Sequence, residues 1–405
     1  MSAPLAGLVG PPNAGKSTLF SALTLLDVKI APYPFTTIEP NVGIGYVRIP
    51  CVCKEMNVKD NPRNSLCIRG NRFIPVRVID IAGLVPGAWK GRGLGNRFLD
   101  HVRRADILVL VVDASGTTDS EGRKVKPGSH DPCDDVQFLE REIDMWIYQI
   151  IKDDWEHIVK LVNVARKDLK QVLFEKLSGL GITMEHVVDA LNETSLESKR
   201  VDTWKDADIF KFINTLRKKS KPMIIAANKV DLPTAEDYVE ALEETFGKRY
   251  RVIPVSAEAE LALRKAAKAG LIRYLPGDRD FDIVRPEKLS QRQRRALEYI
   301  RENVINKWGS TGVQRLINIA FLEALGMVAV FPVEDENRLI DHSGNVLPDV
   351  FLMPKGSTVL DLAYKIHSEL GEKFMFAIDV RTRKRLGADY KLKHRDIIKI
   401  VVGRS

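Results

Sequence analysis

A phosphate-binding loop near the start of the chain constrains the fold more than any other feature. Gly10-Pro11-Pro12-Asn13-Ala14-Gly15-Lys16-Ser17 matches the pattern G-x-x-x-x-G-K-S. The apolar run 5–9 before it predicts a buried strand, and residues 18–23 after it predict the start of a helix. In this setting the loop's backbone N–H groups can cradle a polyphosphate, Lys16 can reach the β- and γ-phosphates, and Ser17 can bind Mg²⁺. The residues expected to touch the nucleotide here are Gly10, Pro11, Pro12, Asn13, Ala14, Gly15, Lys16, Ser17 and Thr18.

A second motif indicates which base the nucleotide carries. Asn228-Lys229-Val230-Asp231 follows the apolar run 223–227, which is typical of a central parallel strand. The Asp231 carboxylate can accept hydrogen bonds from N1–H and the exocyclic amine of guanine. Adenine has no such donors there, and a buried carboxylate left unpaired costs about 1–3 kcal/mol. The sequence therefore predicts GTP and GDP as ligands.

Three further contacts are predicted around the base. Asn228 is expected to tie its loop back to the P-loop, and the stem of Lys229 is expected to cover the base. The strand-like run 252–255 leads into Ser256 and Ala257, whose backbone is placed to meet guanine O6.

The segment between these two motifs has the features of a nucleotide-sensing switch. The run 75–79 predicts a strand that ends in Asp80-Ile81-Ala82-Gly83. Asp80 is expected to hold Mg²⁺ through water, and the Gly83 N–H to meet the γ-phosphate. Upstream, Thr37 is predicted to complete the Mg²⁺ shell, with Thr36 as the alternative. We accordingly expect the catalytic machinery to include Lys16, Thr37, Gly83 and Asn13.

The motifs resemble those of the Obg family of translation-associated GTPases. The resemblance rests on residues 33–43, on 80–85, and on the glycine-rich stretch 91–99. It is greatest to the branch that contains YchF and its archaeal and fungal relatives, in which a TGS domain follows the GTPase domain. This resemblance implies Mg²⁺-dependent GTP binding and partners related to the ribosome or to tRNA. YchF itself carries N-x-x-E at the guanine position and favours ATP, whereas this chain keeps Asn228-Lys229-x-Asp231.

Leu84 is a departure from the Ras-like pattern. Ras-like enzymes carry at this position the glutamine that orients the attacking water, and leucine can neither orient water nor move a proton. Slow hydrolysis is therefore expected. The chain also resembles GTPases in which an apolar residue at this position accompanies a P-loop asparagine that helps to hold K⁺. Asn13 is in that place, so K⁺-stimulated turnover is one hypothesis, and a loop-stabilising role for Asn13 is the other.

The order of the motifs predicts an α/β chain with several domains. We expect a doubly wound P-loop GTPase domain over 1–115 and 221–275, an inserted helical subdomain over 116–220, a helical connector over 276–326, and a β-grasp TGS domain over 327–405. The helical subdomain is indicated by apolar residues that recur at helical spacing from 136 to 177. The β-grasp is indicated by short β-like runs around one helix over 358–370, in which His367 is expected to have a packing or surface role.

Composition narrows the class of protein and its location. With 44% hydrophobic and 29% charged residues, the 405-residue chain can bury ordinary cores. It contains no run approaching the ~18 apolar residues of a membrane span, and its N-terminal apolar run leads directly into the P-loop rather than resembling a signal peptide. We therefore expect a cytoplasmic protein without a membrane partner.

The four cysteines are expected to be ordinary thiols. Cys51, Cys53 and Cys67 cluster in sequence, and Cys133 lies far from them. Their spacing does not match the paired C-x₂-C pattern of a zinc ribbon, and a cytosolic setting argues against disulfides. Metal binding at this cluster is the less favoured alternative.

Basic residues are concentrated at the C-terminus of the chain. The net charge is +8, and residues 371–405 hold ten Lys or Arg and four Asp or Glu, including the run 381–385. Such a face suits contact with the RNA backbone of a ribosomal subunit, tRNA or rRNA, although a solvated hairpin turn would have the same composition. Two other functions remain open: an ATPase of the same architecture, and an RNA- or ribosome-docking module whose nucleotide is mainly structural.

Overall fold

The computed structural model describes residues 3–25, 41–90 and 101–403, and the chain divides into two compact units. The unit formed by residues 4–22 and 78–316 is called the P-loop unit here. The unit formed by residues 23–77 and 317–405, with the N-terminal residues, is called the β-grasp unit. Each is described by itself. The domain boundaries given above stay a prediction.

The strands of the described residues are numbered in chain order. They are β1 Leu5–Val9, β2 Val42–Pro50, β3 Leu66–Ile68, β4 Asn71–Asp80, β5 Ile107–Asp113, β6 Met223–Asn228, β7 Val252–Val255, β8 Ile272–Arg273, β9 Asp282–Ile283, β10 Met327–Val333, β11 Phe351–Pro354, β12 Phe374–Asp379, β13 Arg385–Leu386 and β14 Asp396–Val402.

The α-helices of the same residues are also numbered in chain order. They are α1 Lys16–Thr24, α2 Val52–Glu55, α3 Pro132–Lys152, α4 Trp155–Asn163, α5 Leu169–Leu177, α6 Met184–Thr194, α7 Asp206–Ser220, α8 Ala235–Phe246, α9 Ala257–Lys268, α10 Gln291–Ile300, α11 Asn306–Trp308, α12 Val313–Asn318, α13 Val359–Ile366 and α14 Ser368–Glu372. π-Helical turns at Arg301–Ile305 and Ile319–Ala324 extend α10 and α12.

A parallel sheet forms the centre of the P-loop unit. Its strand order is β1–β5–β6–β7, with the last residues of β4 on the other side of β1. Every residue of β1, β5 and β6 is buried. Strands covered on both faces need continuous apolar runs, which is why these segments were predictable from the sequence. The predicted α/β fold of a P-loop domain is confirmed, and the carboxyl ends of β1, β4 and β6 lead into the three segments that carry the motifs.

Helices α3 to α7 occupy the segment predicted to be a helical insertion. Asp131 begins α3, because its side chain accepts a hydrogen bond from the Cys133 N–H and Pro132 occupies the first turn. The buried guanidinium of Arg217 in α7 contacts Asp144 in α3 at 2.8 Å and the Tyr250 hydroxyl at 3.0 Å. This ion pair and hydrogen bond hold the helices against the residues that precede β7.

A five-stranded sheet in the β-grasp unit has the order β11–β10–β14–β12–β13. Its core is formed by Val330, Met353, Val359, Leu362, Ala377, Leu392 and Ile398. Helix α13 begins at a capping box between Thr358 and Asp361. The predicted β-grasp is confirmed, but its single helix over 358–370 is divided at His367. The His367 Nδ1 instead accepts a hydrogen bond from the Glu369 N–H at the start of α14.

Residues 42–77 form the other part of the β-grasp unit. Strands β2 and β3 both pair with β4, and Cys67 in β3 lies opposite Arg72 in β4. In the described part of the chain, no helix has the length and apolar character needed to cross a membrane.

Candidate nucleotide-binding site

The P-loop leaves β1 and enters α1 at Lys16. Asn13 has φ 62° and Gly15 has φ 94°, both in the left-handed region. A Cβ on Gly15 would lie 2.2 Å from the Asn228 Nδ2, so only glycine fits there without movement. The turn aims the first N–H groups of α1 into the loop, where they can meet phosphate oxygens.

Lys16 is buried, with a relative exposure of 6%. Its ammonium donates a hydrogen bond to the Pro11 carbonyl at 2.6 Å. Burial lowers the pKa of Lys16 to about 8, and the Asp80 carboxylate acts in the opposite direction. Exchanging one carbonyl for phosphate oxygens would pair this buried charge with an anion.

Ser17 and Asp80 supply oxygens suited to a magnesium ion. The Ser17 hydroxyl donates to the Asp80 Oδ2 at 2.7 Å, so the two predicted Mg²⁺ ligands lie side by side. Hydroxyl and carboxylate oxygens are hard donors of the kind that Mg²⁺ prefers, usually together with water and phosphate. The donor chemistry of this pair therefore fits the ion.

The predicted switch element Asp80–Gly83 and the residue that follows it lie beside the P-loop. The Leu84 N–H donates to the Gly10 carbonyl at 3.0 Å, and the Leu84 side chain is 2% exposed. A Cβ on Gly83 would lie 3.0 Å from the Pro12 ring. Gly83 thus lies close to the P-loop, whereas Leu84 turns into the core.

Asn13 has a partner that the sequence did not predict. Its Nδ2 donates to the Gly122 carbonyl at 2.7 Å, and a Cβ on Gly122 would lie 2.5 Å from the Pro12 Cβ. The polar stretch 115–131 after β5 therefore rests on the P-loop. This hydrogen bond supports a loop-stabilising role for Asn13.

Asn228 joins the two predicted nucleotide-binding loops, as expected. Its Nδ2 donates to the Ala14 carbonyl at 2.9 Å, and its Oδ1 accepts from the Ala257 N–H at 3.2 Å. The Ser256 hydroxyl donates to the Asp231 Oδ1 at 2.7 Å and is completely buried. The Asp231 carboxylate is therefore oriented by a fixed neighbour.

Asp113 is a supporting residue that the motif analysis missed. It is fully buried at the end of β5, and the Lys229 ammonium donates to its Oδ2 at 2.8 Å. Burial opposes ionisation, but hydrogen bonds from Lys229, Ser115, Thr117 and Thr118 hold the pKa of Asp113 below its usual value. The ammonium of Lys229 is thereby held in place, and its stem extends toward β5 from the loop Asn228–Asp231, which is called the guanine loop here. An acidic residue ending a wholly apolar strand was the available signal.

Two side chains from the predicted helical connector support the guanine loop. The Tyr299 hydroxyl donates to the Asp231 carbonyl at 2.6 Å, and the Trp308 Nε1 donates to the Val230 carbonyl at 3.1 Å. No local sequence pattern could have indicated these contacts, because 68 and 78 residues separate the partners.

Some predicted residues lie outside the described part of the chain. These are Thr36 and Thr37, the candidates for completing the Mg²⁺ shell, and the glycine-rich stretch 91–99. Their predicted roles stay predictions.

Models of known protein families match three parts of the chain. Residues 5–139 match "50S ribosome-binding GTPase", 226–335 match "Obg-like GTPase YGR210-like, G4 motif-containing domain", and 343–402 match "TGS domain". An uncharacterized GTP-binding protein of Methanocaldococcus jannaschii is 53% identical over 395 residues, 98% of each chain. This chain belongs to the Obg family of GTPases.

The matches to the YGR210-like and TGS models place this Obg-family protein in the YchF-related branch that carries a TGS domain. A crystal structure of a GTP binding protein from Pyrococcus horikoshii OT3 superimposes with a TM-score of 0.79 at 40% identity. The match covers 98% of this chain and 99% of that one. The ribosome-binding ATPase YchF of Bacillus subtilis is 34% identical over 264 residues, which cover 63% of this chain and 66% of the relative.

Proposed function

We propose that this Obg-family protein binds GTP with Mg²⁺, hydrolyses it slowly to GDP and phosphate, and uses the nucleotide to control its attachment to the ribosome. The observation that carries the proposal is the pair of contacts made by Asn228, the first residue of the guanine motif, with Ala14 of the P-loop and with Ala257 at the start of α9. A phosphate site and a base site are therefore held at a fixed separation within one unit.

The P-loop side chains would bind the phosphate end of the ligand. Lys16 would leave the Pro11 carbonyl and donate to the β- and γ-phosphates. Ser17 and Asp80 would hold Mg²⁺, Asp80 through water, with Thr37 as the further proposed ligand. The ion would neutralise charge on the phosphate oxygens. The Gly83 N–H, beside Pro12, would report whether the γ-phosphate is present.

Asp231 supports GTP over ATP as the ligand. Its carboxylate would accept from N1–H and the amine of guanine, with Ser256 fixing its orientation. An ATPase of the same architecture is the second candidate, because the Bacillus subtilis relative is named an ATPase. A carboxylate at this position has no donor to accept from on adenine, which favours the first candidate.

Slow hydrolysis follows from the surroundings of Leu84. The side chain is buried, and its backbone N–H is hydrogen-bonded to Gly10, so neither of them can orient an attacking water. A chain that lacks the orienting glutamine should turn over below the ~10⁻² s⁻¹ of an enzyme with an arginine in cis. Phosphate release without a partner tests this claim. A rate far above that value would contradict it, and a total absence of turnover even with ribosomes and K⁺ would favour a docking module with a structural nucleotide.

Potassium stimulation is a finer part of the proposal and yields a prediction. The amide of Asn13 already donates through Nδ2 to Gly122, which leaves Oδ1 as the atom that would bind K⁺. We expect phosphate release by the wild-type protein to be roughly tenfold faster in KCl than in NaCl of equal ionic strength, and Asn13→Ala to remove the difference. Asn57→Ala is the matched control, because Asn57 is also exposed and left-handed, with φ 52°. Equal wild-type rates in the two salts would refute the K⁺ hypothesis.

The ribosome is proposed as the partner on two grounds. The relative from Bacillus subtilis is named as ribosome-binding, and one matching family description names the 50S subunit. The basic turn after β12 is exposed, although Arg381 is paired with Glu55 at 2.5 Å and Arg385 lies over the Phe376 ring at 4.4 Å. Contact with tRNA or rRNA would therefore rest on the other basic side chains of this face. A ribosomal partner would place the protein in the cytoplasm.

A further inference from the structure

Three cysteines and one aspartate meet in the β-grasp unit, far along the chain from the P-loop. The Sγ atoms of Cys51, Cys53 and Cys67 and a carboxylate oxygen of Asp60 all lie within 4.8 Å of one another. Among the residues that the structure describes, this is the one group of three or more His, Cys, Asp or Glu side chains whose ligand atoms lie this close together. We propose that Cys51, Cys53, Cys67 and Asp60 form a tetrahedral zinc site.

The spacing of the ligand atoms suits a zinc ion. A zinc–sulfur distance of about 2.3 Å places two sulfurs of a tetrahedral site about 3.8 Å apart, and a sulfur and an oxygen about 3.5 Å apart. The Cys53 and Cys67 sulfurs are 3.7 Å apart, and the Cys51 sulfur is 3.2 Å from the Asp60 Oδ2. Small movements of these side chains would admit the ion.

The backbone already fixes the positions of the ligands. Cys51 follows β2, and its N–H donates to the Gly70 carbonyl at 2.9 Å. Cys53 lies two residues after Cys51, in α2, and its carbonyl accepts from the Val58 N–H at 2.9 Å. Cys67 is held in β3 by pairing with β4. A site assembled before the metal arrives needs little further ordering, which favours binding.

A buried arginine supplies the outer contacts that such a site needs. Arg72 is completely buried, and its guanidinium donates to the Asp60 Oδ2 at 2.9 Å and to the Cys51 sulfur at 3.4 Å. It also donates to the Ser65 hydroxyl at 2.9 Å and to the Leu347 carbonyl at 3.1 Å. Metal ligands are commonly oriented by hydrogen bonds of this kind. Three thiolates and a carboxylate carry four negative charges, which Zn²⁺ and Arg72 together reduce to one.

A disulfide accounts for less of this arrangement. Bonded sulfurs lie about 2 Å apart, so Cys53 and Cys67 are in van der Waals contact only. A disulfide between two of the three cysteines would leave the third thiol beside the Asp60 carboxylate without a bonding role. A four-coordinate metal uses all four side chains. The cysteine spacing alone made metal binding the less favoured alternative, because it lacks the paired C-x₂-C pattern and does not indicate Asp60 as a fourth ligand.

The loop between the ligands gives the site a structural role. Asn61 and Asn64 exchange hydrogen bonds with Val346 and Val350, and Arg63 pairs with Asp349 at 2.6 Å. These contacts lie within the β-grasp unit and attach the loop to the segment that enters β11. A metal that anchors Asp60 and Cys67 would fix both ends of this loop.

The test is metal analysis of the full-length protein. The chain is produced with zinc in the medium and purified without chelators. We expect about one zinc per chain, and we expect Co²⁺ substitution to give the visible bands of tetrahedral thiolate coordination. Cys67→Ser should lose both signals, and Asp60→Asn should weaken zinc affinity by at least tenfold in competition with a chromogenic chelator.

Cys133→Ser is the matched control. Cys133 is a free, buried cysteine that lies outside the cluster, so this variant should keep the zinc and the cobalt bands. A circular dichroism spectrum establishes whether each variant is folded, and the wild-type measurement decides the question even where one is not. Wild-type protein that takes up neither zinc nor cobalt would overturn the proposal. Mass spectrometry showing a disulfide among Cys51, Cys53 and Cys67 in freshly purified protein would overturn it as well.

Discussion

Replacing Asp231 with asparagine should lower the affinity for GTP at least 100-fold and leave the affinity for ATP unchanged. The carboxylate can accept two hydrogen bonds from guanine, whereas an amide accepts one and directs its NH₂ at the exocyclic amine. Hydrogen bonds to a charged group contribute about 1.5–3 kcal/mol each. Losing one of them, and placing the amide NH₂ against the donor amine of guanine, should therefore raise the Kd for GTP about 100-fold. Titration calorimetry with GTP, ATP and xanthosine triphosphate measures the effect.

Xanthosine triphosphate sharpens this experiment. Its base carries a carbonyl where guanine has the amine, so it offers the acceptor that the Asp231→Asn amide can use. The variant should therefore bind xanthosine triphosphate more tightly than the wild type does. Asp237→Asn makes the same chemical change on an exposed residue of α8 and should leave all three affinities as they are. A loss of ATP and GTP affinity in parallel would show that Asp231 supports the loop without reading the base.

Replacing Lys16 with methionine should lower the affinity for GTP by roughly 100-fold, through the loss of a charge-assisted contact with the phosphates. The ligand-free protein should not become much less stable. Methionine retains most of the buried volume and removes an ammonium whose burial is unfavourable, as its pKa of about 8 indicates. Fluorescent-nucleotide titration gives the affinity, and chemical denaturation gives the free energy of unfolding.

Lys221→Met is a closely matched control for Lys16→Met. Lys221 is 5% exposed, burial also lowers its pKa to about 8, and its ammonium donates to the carbonyls of Arg103 and Ala105. These carbonyls precede the amino end of β5, whereas the P-loop and the guanine loop lie at the carboxyl ends of the parallel strands β1 and β6, so its substitution should leave GTP affinity unchanged. If both variants lose affinity equally, the effect reflects general loss of structure and the phosphate role of Lys16 is wrong.

The central part of the fold could be predicted because it depends on local patterns. Strands β1, β5 and β6 are continuous apolar runs, and the P-loop and the Asn228–Asp231 motif lie at the carboxyl ends of β1 and β6. Helix boundaries were less predictable. The apolar stripe of α3 and α4 continues across residues 153–154, but α4 begins afresh at Trp155. A periodic pattern reports which face is buried and does not by itself show where the backbone turns.

The remaining features depend on contacts between distant residues. Gly122 meets Asn13 across 109 residues, and Lys229 meets Asp113 across 116. Partners this far apart in sequence form no local pattern. The cysteine cluster also depends on contacts made by the fold. Nothing in the sequence around Asp60 indicates a ligand, and the pairing of β3 with β4 places Cys67 and Arg72 beside it. Sequence motifs therefore predicted the chemistry of the ligand, and only the fold revealed what supports it.

Co-sedimentation with ribosomes and separated subunits tests the proposed switch most directly. The wild-type protein is sedimented with GDP and, separately, with a non-hydrolysable GTP analogue, and Lys16→Met provides the nucleotide-free comparison. We expect the protein to pellet with one ribosomal particle in the presence of the analogue, to stay in the supernatant with GDP, and to lose the difference in the variant. Equal binding in both nucleotide states, or binding in neither, would contradict a GTP-gated attachment to the ribosome.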